Sequence, residues 1–160
     1  MLNCAGKSRL IKVTRRNNGN LIAELAVSLS ILLPLYVSIL YVAFEVNQAC
    51  AIYNGLSASS QQAARNLAIA YNSNSVTALT TIGQNAAFDQ VRFANIVNSS
   101  SQFSIPTGTS GWNLTAQPAT VTVQCTYQSG QHGLGVFPYP DPLNLGSSFI
   151  LTAQSTCRLN

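Results

Sequence analysis

Leu25 to Phe44 reads LAVSLSILLPLYVSILYVAF, twenty residues without one charge. No other feature constrains the fold as strongly. As a helix at about 1.5 Å per residue, the run is about 30 Å long, the thickness of a bilayer's hydrocarbon core. A buried helix of a soluble protein rarely stays uncharged for so long. Pro34 falls mid-run, where a membrane helix tolerates it better than a soluble one does. The charges on either side agree with a membrane span. Lys7, Arg9, Lys12, Arg15 and Arg16 all precede Gly19, with no acid among them. Clustered basic residues on one flank keep that flank cytoplasmic. The N-terminus is therefore expected inside, and everything after Phe44 outside.

A cleaved secretory signal is the rival reading, with Ala49-Cys50-Ala51 as its small-residue site. Signal cores span about 7–15 residues. Here the core is longer, and Glu45 intervenes before the site.

The formal charge of +4 over 160 residues hides this asymmetry. After Gly19 there are three basic residues (Arg65, Arg92, Arg158) and four acidic ones (Glu24, Glu45, Asp89, Asp141). Nucleic-acid binding needs basic residues spread over a folded face, and these are not. The length allows one domain, or one domain plus a membrane segment.

Beyond the run the pattern stays helical. Ile52, Leu56, Ser59, Ala63, Leu67 and Ala70 recur at steps of three and four, one stripe of a helix. One helix from about Leu21 to about Ala70 is expected. Its outer half packs either on its own domain or on a partner. YNSNS, residues 71–75, interrupts it. A weaker helical pattern follows through Val76, Leu79, Ile82 and Ala86, and VRFANIV after it also reads as a strand. Asn98 to Pro118 reads as loop with one short strand. Its two glycosylation sequons, at Asn98 and Asn113, are too short to carry weight.

ATVTVQCTY and SFILTAQSTCRL alternate apolar and polar residues with period two, as a half-buried antiparallel pair requires. Cys125 and Cys157 both fall on the apolar faces. If the strands are neighbours, a disulfide is expected on the oxidising side of the membrane. The alternative is two buried free thiols. Cys50 has no obvious partner, and Cys4 lies in the leader. The fold class expected is α+β: a long N-terminal helix, transmembrane then extracytoplasmic, before a small domain with an antiparallel sheet. The divisions are 1–19 (basic leader), 20–45 (span), 46–71 (helix extension) and 72–160 (small domain).

Catalytic chemistry finds little support. The single histidine, His132, lies in a Gly-rich loop with no nucleophile motif beside it. It and the scattered cysteines do not make a metal site. GQHGLG leads into VFPYPDP and not into a helix, so no phosphate loop is expected. No enzyme activity, cofactor, metal or small-molecule substrate is expected.

The order of the segments narrows the reading. A basic leader, Gly19, four residues, Glu24 and a long apolar helix together resemble a type IV prepilin. RRNNGNLIAELAVSLSILLPL, then Glu45, NGLSASSQQAARNLA, PATVTVQCTY and SFILTAQSTCRL is similar to the TadE family, the pilin-like minor subunits of tight-adherence (Flp-type) pilus systems. Two positions depart from it. Leu25 stands where an aromatic residue is frequent, and Pro34 lies farther from the glutamate than the family's proline usually does. The resemblance implies a bacterial inner-membrane protein cut by a prepilin peptidase between Gly19 and Asn20. Its partners would be other pilus subunits and assembly-platform proteins. It also implies that Glu24 pairs with the N-terminal amine of a neighbouring subunit, where the residues alone equally allow an unpaired interfacial acid. The alternative function is a single-pass envelope protein whose outer domain binds another envelope component.

Overall fold

A computed structural model describes residues 17–93, 95–132, 134, 137 and 149–160. The leader before residue 17 and the segment 138–148, which holds Asp141, lie outside the described residues. The α+β class expected from the sequence is what the structure has. The element order is α1 (Asn17–Ser73), α2 (Ser75–Ala78), α3 (Thr81–Asp89), then β1 (Phe103–Ser104), β2 (Trp112–Asn113), β3 (Thr120–Gln128) and β4 (Ile150–Arg158). Two compact units share the chain, one ending at Ala43 and one beginning at Phe44.

In the second unit, the outer half of α1 is part of the core. Leu56, Ser59, Ala63 and Leu67 are buried, and Ile52 is partly buried against the same cluster. These are the residues of the stripe, so its small side chains serve the domain that follows. The compact unit that holds this core begins at Phe44.

Asn74 ends α1 and starts α2, its side chain accepting a hydrogen bond from the Thr77 N–H. Thr80 does the same for α3, accepting from the Gly83 N–H. The break between α2 and α3 shifts the helical phase, and the expected stripe through Val76, Leu79, Ile82 and Ala86 is exposed. Ala78, Ala87, Phe88 and Val91 enter the core in its place. VRFANIV does not form a strand. It turns on itself at Asn95 (φ 61°), with a single bridge between Phe93 and Val97. Gly55 faces this turn, where an added Cβ would lie 2.6 Å from Ile96 Cδ1.

The sheet centres on β3. Antiparallel β4 lies along one edge, and β1 and β2 share the other. The middle region thus supplies two short strands where one was expected. Val121, Val123, Cys125 and Tyr127 point into the core, joined from β4 by Ala153. On the opposite face Thr122 and Thr156 share a hydroxyl hydrogen bond of 2.9 Å. Past β3, Ser129 holds the chain by accepting from the Phe137 N–H (2.7 Å) and donating to its carbonyl (3.1 Å).

The strand pairing is as expected, but the disulfide is not. Cys125 is opposite Ala153, and Cys157 is opposite Val121. Four residues of strand separate the two sites, about 13 Å. A disulfide needs Cα atoms about 4.4–6.8 Å apart. Both cysteines are free thiols, as is Cys50. Sharing a face was necessary for pairing but did not set the register.

Candidate functional site

The first unit concentrates what is functionally distinctive. Every residue from Asn20 to Leu40 is exposed, and this includes apolar side chains on all sides of the helix. A helix apolar all round presents no polar face to solvent. Among the described residues, this is the one helix long and apolar enough to cross a membrane, by length and composition.

Two of its serines are bonded within the helix. Ser30 Oγ donates to the Ala26 carbonyl (2.7 Å), and Ser38 Oγ donates to the Pro34 carbonyl (2.8 Å). A hydroxyl bonded to its own backbone costs little in lipid. Pro34 has no N–H, so the Ser30 carbonyl loses its usual helical donor.

Gly19 and Asn20 lie in the first turn of α1. Glu24 follows one turn later, exposed, in a shallow depression shared with Leu21, Leu25 and Ser28. The structure therefore brings these three residues onto one short segment. Cys125 and Cys157, the other predicted site pair, belong to the sheet and do not meet.

Three features escaped the sequence reading. Glu45 is half-buried, and its Oε1 is buried with no hydrogen-bond donor among the described residues. Trp112 Nε1 is likewise buried, with no hydrogen-bond acceptor among the described residues, and its ring packs against Tyr71 at 5.5 Å. Ser101 Oγ lies 3.3 Å from His132 Nδ1, both residues being exposed. No local pattern announces any of these contacts, because each joins segments distant in sequence or depends on what covers one atom. Among the described residues, no group of three or more His, Cys, Asp or Glu is placed to hold a metal.

Burial shapes the chemistry of the domain's thiols. The Cys125 thiol is pushed up to about 12 because the core desolvates its thiolate. Burial also raises Tyr127, with a hydrogen bond from Ser129 acting the other way. Neither group is poised as a nucleophile near neutral pH.

No family model, characterised protein or solved structure matches the chain.

Proposed function

We propose that this chain is a minor, pilin-like subunit of a tight-adherence pilus assembly system. α1 holds it in the bacterial inner membrane with the N-terminus cytoplasmic, and a prepilin peptidase cuts it between Gly19 and Asn20. One observation carries the reading. A single helix combines an all-round apolar run with a glycine and a glutamate five residues apart at its start. A plain membrane anchor needs the apolar run but gains nothing from a carboxylate inside its edge, where an acid is costly. A subunit that must align with its neighbours has a use for that acid. The outer half of α1, packed into a small α+β unit, suits a head carried on such a helix.

Intact-mass measurement of protein from native membranes tests this. The expected mature chain begins at Asn20, and Gly19→Leu blocks its formation. A native N-terminus at Met1, or one after Ala51, overturns the reading.

A further inference from the structure

Past the uncharged run, α1 carries two charged residues, Glu45 and Arg65. Both lie in the second unit, on one unbroken helix. Neither has an ion-pair partner among the described residues. The unit's other described charges are placed elsewhere. Asp89 lies 3.9 Å from Arg92, which also donates to the Asn98 carbonyl. Arg158 is exposed at the end of β4.

Glu45 and Arg65 point opposite ways. Twenty residues of helix are about five and a half turns, so the two side chains leave α1 about 200° apart. Glu45 is in line with Ile52, Leu56 and Ala63, the face that packs into the core. It sits one turn before Ala49, the first residue of α1 packed against that core. Arg65 is exposed on the reverse face, in line with the exposed Asn54, Ala58 and Gln61. Small and amide side chains there let another helix come close.

Glu45 is the member that lacks a counter-group. Its Oε1 is buried with no hydrogen-bond donor among the described residues, while the residue as a whole is only partly buried. A carboxylate held in this way is costly until a cation meets it. A guanidinium suits it, because its planar fork of N–H groups matches a carboxylate.

Opposite faces rule out a reciprocal pair in a two-fold dimer of side-by-side helices. They fit a neighbour related by translation. A second copy is shifted about 30 Å along α1 towards its N-terminal end and set on the domain side of Glu45, in the same orientation. Its Arg65 then points back at Glu45 of the first copy. Both α1 helices run in one direction, as copies drawn from one membrane must. The step repeats, since each copy offers Arg65 to one neighbour and Glu45 to another. Head-to-tail contacts of this kind build open fibres and not closed dimers.

We propose that, in the assembled pilus, Arg65 of one copy pairs with Glu45 of a second copy displaced about 30 Å outward along α1. This rests on the pilus reading, because copies at equal depth in a membrane keep the two groups about 30 Å apart along the helix. The subunit then enters the fibre in runs of neighbouring copies.

Charge reversal in the full-length protein tests it, in pilus-bearing cells that lack the wild-type copy. The readout is the amount of this chain in sheared surface fibres relative to the membrane. Glu45→Arg and Arg65→Glu should each lower that ratio at least about tenfold, since like charges then face each other. Co-expressed, the two variants should restore it, because each supplies the charge that the other needs at both contacts. Arg65→Lys should keep most of the ratio, and Arg158→Glu should leave it unchanged. A normal ratio for Arg65→Glu, an equal loss for Arg158→Glu, or no recovery on co-expression of two membrane-inserted variants overturns the pairing. Arg65 is exposed on the helix surface, so its variants decide the matter even if Glu45→Arg fails to fold. Wild-type chain absent from sheared fibres overturns the pilus reading and the pairing together. Wild-type chain present beside a normal Arg65→Glu overturns the pairing alone.

Discussion

Cys125 and Cys157 share one face of the β3–β4 ribbon and stand four residues out of register, Cys125 beside Ala153 and Cys157 beside Val121. No rotamer closes about 13 Å between two sulfurs. Alkylation of denatured, unreduced protein should therefore label both. In the folded protein Cys50, exposed on α1, should react first, and Cys125, fully buried, last. A mapped Cys125–Cys157 peptide would refute the register.

Alkaline pH should destabilise the domain through the same buried thiol. The Cys125 pKa rises from 9.0 to about 12 on folding. A raised folded pKa means that the unfolded chain loses its proton first. The contribution is fully present below pH 9 and is lost as pH rises towards 12. Stability should fall by roughly 1 kcal/mol per pH unit in that window. Denaturant titrations at pH 8 and pH 10.5 measure this. Cys125→Ala should reduce the slope, with the remainder from Tyr127, whose raised pKa acts in the same direction.

Gly83→Ala should be costly, although alanine is the better helix former. An added Cβ would lie 2.1 Å from the Thr77 carbonyl oxygen, which is backbone and cannot rotate away. Either α3 or α2 must shift, and overpacking of this kind costs about 1–3 kcal/mol. A thermal melt of the variant should show a lower midpoint. An unchanged midpoint would mean that the α2–α3 junction is looser than the structure has it.

Glu24→Gln tests the pairing role within the proposed function. Cleavage after Gly19 would leave a cationic α-amine at Asn20. Burying that cation among apolar helices is unfavourable without an anion nearby. Glu24 is the only acid between Asn20 and Phe44. The variant keeps the side chain's size and lowers the insertion cost, so it should still enter the membrane. It should also still be cleaved, because Gly19 and the basic flank remain. Co-purification with other pilus subunits and pilus number should both drop. Normal values for both would leave Glu24 as an unpaired interfacial acid.

The elements with strong periodicity were determined by the sequence alone. Twenty uncharged residues can be little but an apolar helix, and the stripe from Ile52 to Ala70 marked the face that α1 buries. The alternation through Val121–Tyr127 and Leu151–Ala153 identified two strands and their inner faces, since burial on one side of a pleat forces period two. Tertiary structure decided everything that depends on two segments at once. Register is one case, because period two says which face a cysteine takes and not which residue lies opposite. The exposed Val76 and Ile82 are another, because a four-residue helix that stops at Leu79 discards the phase that sequence spacing assumes. The burial of Glu45 Oε1 and the close approach at Gly83 belong to the same class. Each is set by what the rest of the chain places beside it, and local sequence carries no record of that neighbour.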